Sequence, residues 1–144
     1  MPTSAETPRA ELLVDTSVAV PVMVADHPHH ESVVSQLGER RLGLAGHAAF
    51  ETYSVMTRLP PPVRRTPAAV ARLLASNFPA TRYLSPGGAD ALYGRLAALG
   101  VAGGSVYDAL VGAAASEHGV ALATRDRRAL DVYRALEVTV EFLS

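Results

Sequence analysis

The sequence has 144 residues, of which 49% are hydrophobic and 19% are charged, a composition typical of a folded domain. Its formal net charge of −1 argues against a surface coated with basic residues for general nucleic-acid binding, although an acidic site that cuts nucleic acid would lower the same figure. Cysteine is absent, which excludes disulfides, thiolate zinc sites and thiol nucleophiles, and all 13 basic residues are arginine, which excludes any mechanism that needs lysine.

Hydropathy gives no indication of a membrane segment. No apolar run approaches the roughly 18 residues needed to cross a bilayer, and residues 1–10 lack the basic and apolar regions of a signal peptide. With no cysteine, these features predict a cytoplasmic protein without a membrane partner. Residues 1–10 are polar and contain two prolines, so we expect a flexible lead-in to one domain over residues 11–144.

Short apolar segments alternate with helical patterns along the chain. Strands are predicted at residues 11–15, 41–45, 82–84, 120–124 and 138–143. Helices are predicted at residues 16–26, 29–39, 47–59, 66–76, 86–99, 105–118 and 127–136. Residues 58–65, with three arginines and three consecutive prolines, are predicted to form a stiff, polyproline-like link. This alternation predicts an α/β fold with a mainly parallel central sheet.

Two acids follow apolar strands near small hydroxyl residues. Asp15 ends the first strand and precedes Thr16 and Ser17, and Asp126 follows the strand that ends at Thr124. Because ligands of open α/β sheets bind beyond the carboxyl ends of the strands, these two acids can meet. The three hydroxyl residues would then hold the acids or metal-bound waters. Each acid and hydroxyl also has the simpler explanation that it caps the following helix.

Two further acids lie on helices that should pack against the same sheet. Glu51 lies on an apolar helix face, where a carboxylate is costly to bury unless it is paired, protonated or bound to metal. The alternative is that Glu51 reaches solvent at the edge of that face. Asp108 shares its face with small residues such as Gly112, which would hold the carboxylate inward, but it also stands three residues after Ser105 in the spacing of a capping box.

A cluster of these four acids needs compensation. Like charges within about 5 Å repel by roughly 1 kcal/mol in water and several-fold more when buried, so the cluster persists only with a cation or bound protons. Oxygen ligands without cysteine favour Mg²⁺ or Mn²⁺ over zinc. The arginines at positions 125, 127 and 128 either contact phosphates beside the metal or form a solvated helix start. The histidines at positions 27, 29 and 30 are expected to be surface residues.

The four acids occur in the segments L-L-V-D-T-S, A-A-F-E, S-V-Y-D-A-L and L-A-T-R-D-R-R-A-L. In order and spacing these resemble PIN-domain ribonucleases, and most closely the VapC toxins of type II toxin–antitoxin pairs, over about residues 11–143. The stretch G-H-A-A-F-E-T-Y-S-V-M-T-R-L-P-P-P is also similar to a subgroup of these toxins. The resemblance therefore covers nearly the whole chain.

This resemblance implies an α/β/α sandwich and an endoribonuclease that hydrolyses RNA phosphodiester bonds with water activated by Mg²⁺ or Mn²⁺. It implies that Asp15 and Asp108 are the main metal ligands, and that Glu51 and Asp126 complete the site directly or through water. Which acid orients the attacking water stays open. It also implies a homodimer, silenced by a cognate VapB-type antitoxin that inserts a segment, often with arginine, into the acidic cleft. The region around residues 58–65 is a candidate for antitoxin or RNA contact.

Three other classes of protein compete with this interpretation. Receiver domains and haloacid-dehalogenase-type phosphatases both need a lysine, which the sequence lacks. A catalytically inactive PIN fold that only binds a protein partner remains the alternative, and the intact set of four acids argues against it.

Overall fold

The computed structural model describes residues 10–144, so residues 1–9 of the predicted lead-in lie outside it. Four short strands form one sheet in the order β2-β1-β3-β4, and every neighbouring pair is parallel. The strands are β1 (Glu11–Val14), β2 (Arg41–Leu44), β3 (Leu122–Thr124) and β4 (Val140–Phe142). Because β1 and β3 are adjacent in the centre, their carboxyl ends lie side by side.

All seven predicted helices are present, with some ends shifted inward. They are α1 (Thr16–Met23), α2 (His30–Leu37), α3 (Ala48–Thr57), α4 (Pro67–Asn77), α5 (Pro86–Arg95), α6 (Ser105–His118) and α7 (Leu130–Ala135). A 3-10 turn at Arg127–Ala129 precedes α7. Among residues 10–144, no helix is long and apolar enough to cross a bilayer.

The sheet separates two apolar cores, because alternate residues of a strand point to opposite faces. Leu12 and Val14 of β1 belong to the core on the side of α1 and α2, which includes Val33. Leu13 belongs to the other core, which α6 and α7 cover and in which Tyr133 is buried. This layering confirms the predicted α/β/α sandwich with a parallel sheet.

Two sequence predictions are wrong. Residues 82–84 are not a strand, because the hydroxyl of Thr81 accepts the N–H of Leu44 at 3.0 Å and only one bridge, between Ala45 and Arg82, forms beside β2. Residues 61–63 form a turn and not a polyproline-like link. The turn is closed by a backbone hydrogen bond of 3.1 Å from Val63 to Pro60. A polyproline helix has no such internal hydrogen bond.

Gly43 lets the segment after α4 lie directly against β2. A Cβ atom at this position would lie 2.2 Å from the backbone carbon and oxygen of Ala80, and backbone cannot move aside as a flexible side chain would. We expect Gly43→Ala to destabilise the fold by about 1–3 kcal/mol or more, as overpacking of a core does. Urea unfolding measures this. Gly94→Ala on α5 is the control, because nothing lies within 4 Å and helix propensity should make it neutral or stabilising by up to about 1 kcal/mol.

Candidate active site

Asp15 is the buried centre of the predicted site. Its N–H donates to the carbonyl of Ala123 at 3.3 Å, which fixes it at the end of β1 beside β3. Its Oδ1 accepts hydrogen bonds from the N–H of Ser17 at 3.1 Å and from the Ser17 hydroxyl at 2.5 Å. Its Oδ2 accepts from the hydroxyls of Thr124 at 2.5 Å and Tyr133 at 2.8 Å. Asp15 therefore caps α1, as the simpler explanation requires, and also ties together three parts of the site.

Burial raises the pKa of Asp15, whereas its hydrogen bonds from Ser17, Thr124 and Tyr133 lower it and the negative charge of Asp126 raises it further. Two of the predicted supporting residues, Ser17 and Thr124, thus contact the acid directly. The third does not, because the hydroxyl of Thr16 instead accepts a hydrogen bond from the buried Thr52 at 3.3 Å.

Tyr133 is a site residue that the sequence analysis missed. Its spacing from Ala129 and Leu136 on the last helix marks it as a core residue, but nothing in the sequence shows where its hydroxyl points. Gly112 of α6 gives the ring its room, since a Cβ there would lie 3.0 Å from Cδ1 of Tyr133. Burial and the charge of Asp15 raise the pKa of Tyr133, so it acts as a hydrogen-bond donor.

Removal of the Tyr133 hydroxyl should destabilise the fold, because the buried carboxylate of Asp15 would lose one hydrogen bond. We expect Tyr133→Phe to lower the free energy of unfolding at pH 7 by about 1.5–3 kcal/mol, the usual contribution of a hydrogen bond to a charged group. The loss should shrink under acid, because a protonated Asp15 needs fewer donors. Urea unfolding at neutral and acidic pH measures both effects. Tyr93→Phe is the matched control, since the Tyr93 side chain is 80% exposed on α5; an equal loss in both variants would contradict the role of Tyr133.

Glu51 and Asp108 are half-buried, and no donor within residues 10–144 forms a hydrogen bond with either carboxylate. Burial is the main cause that raises the pKa of each. The charges of Asp108 and Asp15 raise the pKa of Glu51 further, against an opposing effect of His47. The charges of Asp126 and Asp15 likewise raise the pKa of Asp108. The capping-box alternative for Asp108 is not realised, because α6 is capped by Gly104 without a side-chain hydrogen bond.

Asp126 caps the 3-10 turn before α7. Its Oδ1 accepts from the N–H of Arg128 at 3.0 Å and from Nε of the same residue at 3.2 Å. Its own N–H donates to the hydroxyl of Thr124 at 3.1 Å, so this one threonine contacts both strand-end acids. The guanidinium of Arg127 lies over the ring of Phe142, 4.6 Å from its centroid. Of the flanking arginines, Arg127 and Arg128 thus already have contacts within the fold.

The histidine tract has structural contacts of its own. The ring Nδ1 of His27 accepts the N–H of His29 at 3.1 Å, and that of His30 lies 2.7 Å from the carbonyl oxygen of Pro21. His29 is exposed as expected, whereas His27 and His30 are partly buried and His30 begins α2.

The four acids act on one another through their charges, as the sequence analysis expected, but they do not form a closed cage. No group of three or more histidine, cysteine, aspartate or glutamate side chains within residues 10–144 is arranged to hold a metal ion. Mg²⁺ needs only one or two carboxylates, because it keeps several waters. Burial is the main cause of the raised pKa values of Asp15, Glu51 and Asp108, and neighbouring negative charges raise them further. These oxygen donors fit a hard divalent cation, which would relieve the repulsion.

Comparison with known proteins decides the family. Residues 12–135 match the PIN domain. The chain belongs to the PIN domain family. This PIN domain is 49% identical over 129 residues to Ribonuclease VapC27 of Mycobacterium tuberculosis, a match that covers 90% of this chain and 94% of that protein.

Two further comparisons agree with this assignment. Ribonuclease VapC40 of Mycobacterium tuberculosis is 46% identical to the PIN domain over 134 residues, which cover 90% of this chain and 97% of that protein. The crystal structure of VapBC2 from Rickettsia felis bound to a promoter DNA fragment superposes with a TM-score of 0.67 at 12% identity, over 93% of this chain and 99% of that one. The last similarity concerns the fold alone.

Proposed function

We propose that this chain is an endoribonuclease that hydrolyses RNA phosphodiester bonds and acts as the toxin of a toxin–antitoxin pair. The observation that carries the proposal is the 49% identity to a ribonuclease over 90% of this chain. The electrostatic influence among Asp15, Glu51, Asp108 and Asp126 supports it. An inactive binding module would have no need to keep two half-buried carboxylates without donors, because such groups are costly.

The proposed cofactor is Mg²⁺ or Mn²⁺, with Asp15 and Asp108 as its main ligands and Glu51 and Asp126 completing the site directly or through water. When bound, such an ion lowers the pKa of a coordinated water and offsets the charge that builds up on the scissile phosphate. The chain's own contribution is orientation. Ser17, Thr124 and Tyr133 fix the carboxylate of Asp15, and Thr124 also holds the backbone of Asp126.

The proposed partner is a VapB-type antitoxin, and the proposed oligomer is a homodimer in the cytoplasm. Support for the antitoxin partner comes from the relatives that carry the VapC name, whereas the homodimer and the compartment are proposed from the family resemblance. An antitoxin arginine would fit the cleft, because a guanidinium forms charge-assisted hydrogen bonds to the same carboxylates that a metal would bind.

Incubation of the purified, antitoxin-free protein with total RNA tests the activity. The protein is supplied with Mn²⁺, with Mg²⁺ or with EDTA, and the products are separated by length and their ends mapped. Discrete fragments that form only with metal are expected. Absence of fragments in every metal would favour the inactive binding module.

A further inference from the structure

A row of aromatic side chains leads away from the acids across the surface of the protein. Tyr107 immediately precedes Asp108, and Phe50 immediately precedes Glu51. His47 stacks on Tyr107, with ring centroids 5.0 Å apart and planes inclined by 20°, and its ring lies 6.3 Å from that of Phe50. Two members of the row are therefore the sequence neighbours of two of the four acids. We refer to it as the aromatic row, which comprises Tyr107, His47, Phe50 and Tyr83.

Three members of the aromatic row are exposed to an extent that core packing does not explain. The exposed fraction is 51% for Tyr107, 64% for Phe50 and 56% for Tyr83. The rings of Phe50 and Tyr83 lie 6.2 Å apart at 56°, so they do not stack on each other and their faces remain available. Exposed aromatic faces are the surfaces on which unpaired nucleobases stack.

A cavity of about 360 Å³ is bordered by Glu51 and by His47 and Phe50 of the aromatic row. Glu51, Ser54 and Arg58 follow one another at helical spacing, so they share one face of α3 and border the cavity together. Arg58 places a positive charge at the side of an otherwise acidic site. The residues that bring chemistry to the cavity are Thr16, His47, Phe50, Glu51, Ser54 and Arg58.

We propose that this cavity and the aromatic row bind one unpaired base of an RNA strand and the phosphate next to it, which presents the adjoining phosphodiester bond to the acids. This inference rests on the proposed ribonuclease function. The ring of Phe50 stacks on the base, the hydroxyl of Ser54 bonds to the base edge, and the guanidinium of Arg58 pairs with the phosphate. The substrate is then a single-stranded segment or loop, because a duplex keeps its bases within its own stack.

The charges favour RNA over a protein as the occupant of this cavity. The cores of protein–protein interfaces are depleted of charged residues, whereas Arg58 and Glu51 both border the cavity. An RNA strand offers groups that match both parts of the lining, namely flat bases for the aromatic row and phosphates for the arginine. Phe50 and Tyr83 also border an apolar cavity between α3 and α4, so the test below includes self-association of the protein.

RNA binding without cleavage gives the most direct test. The Asp108→Asn protein in EDTA is titrated into a short, fluorescently labelled RNA without secondary structure, and separately into the same RNA annealed to its complement, with fluorescence anisotropy as the readout. We expect tighter binding to the single strand. Equal affinities, or no binding to either form, would overturn the proposed subsite.

Substitutions at Phe50 separate stacking from general apolar contact. In the same background, Phe50→Ala and Phe50→Leu should both weaken binding by about 5- to 150-fold, the usual effect of removing one stacked aromatic ring, whereas Phe50→Trp should retain it. Tyr93→Ala on α5 removes an exposed aromatic residue outside the row and should change nothing. Full affinity with Phe50→Leu would overturn the stacking role.

Salt dependence tests the phosphate contact. Arg58→Ala should reduce the slope of log affinity against log salt by about 0.7, which is the contribution of one phosphate contact to a single strand, and Phe50→Ala should leave the slope unchanged. Arg58→Lys keeps the charge and should restore the slope. An unchanged slope in Arg58→Ala would overturn the phosphate contact.

Cleavage and self-association distinguish failure of this inference from failure of the proposed function. If the wild-type chain cleaves RNA but Phe50→Ala cleaves it with the same KM and kcat, the ribonuclease function stands and the subsite is wrong. If Phe50→Ala instead shifts the monomer–dimer equilibrium in sedimentation and leaves RNA affinity intact, the aromatic row is a protein interface. We expect a raised KM, a nearly constant kcat and an unchanged oligomeric state.

Discussion

Asp108→Asn should abolish metal-dependent RNA cleavage while leaving the fold intact. The carboxylate of Asp108 is half-buried, has no hydrogen-bond donor within the described part of the chain and lies within the field of Asp15 and Asp126. The amide that replaces it has nearly the same shape but carries no charge to hold a cation. We expect kcat to fall by about 10²–10³-fold or more, the size of loss seen when one electrostatic contact to a transition state is removed.

The same substitution should not weaken the protein. Because burial and two neighbouring carboxylates disfavour the charge of Asp108, the neutral amide should leave the free energy of unfolding at pH 7 unchanged or slightly higher. Fragment yield from labelled RNA and urea unfolding measure the two effects together. Asp90→Asn is the matched control, an exposed acid on α5 whose loss should affect neither. Cleavage at the wild-type rate by Asp108→Asn would rule out its role as a ligand.

The sequence alone predicted Asp15 and Asp126 to follow strands because strand ends are local features. One apolar run stops at Asp15, and another stops one residue before the pair Arg125-Asp126. These two patterns specify two strand ends without any knowledge of the segments that pack beside them. A parallel sheet then brings the ends to one edge. For the two helical acids the sequence left alternatives open. The small residues Ala109, Gly112 and Ala115 of α6 are buried, but Gly112 faces Tyr133 of α7.

What the sequence could not supply is the set of contacts between segments far apart in the chain. Tyr133 reaches Asp15 across 118 positions, and its ring packs closely against Gly112 of α6. The hydroxyl of Thr81 accepts the N–H of Leu44 in place of a backbone carbonyl, and the segment pairs with β2 through a bridge at Arg82 and not as the predicted strand. Such side-chain groups compete with the backbone, and the outcome depends on tertiary position and not on the local pattern.

The stability of the protein should depend on pH and on metal through the same carboxylates. Asp15, Glu51 and Asp108 all have pKa values raised mainly by burial and further by the charges of neighbouring acids. The folded state therefore binds protons more tightly than the unfolded state, so the contribution of these groups is greatest under acid and is lost as pH rises through their folded pKa values. Glu11, Glu117 and Glu141, with lowered pKa values, act in the opposite direction, so the comparison must be between variants.

The difference in unfolding free energy between wild type and Asp108→Asn isolates one of these groups. As pH rises from the ordinary pKa of an aspartate through the raised folded pKa of Asp108, the wild type should lose stability relative to the variant, because only the wild type must ionise Asp108 in the folded state. Urea unfolding across this range gives the difference directly. A difference that stays constant with pH would show that the charge of Asp108 is not strained in the folded protein.

Mn²⁺ should reverse that loss at neutral pH. A cation between the acids replaces repulsion with attraction and binds only the folded state, so at about 100 times its dissociation constant it should raise the melting temperature by roughly 5–10 °C. The increase should vanish near pH 4, where protons occupy the same carboxylates, and most of it should be absent in Asp108→Asn. Differential scanning calorimetry with and without the ion measures this. If millimolar Mn²⁺ leaves the melting temperature unchanged at pH 7, the four acids do not bind a divalent ion. The repulsion among their carboxylates would then have to be relieved by protons.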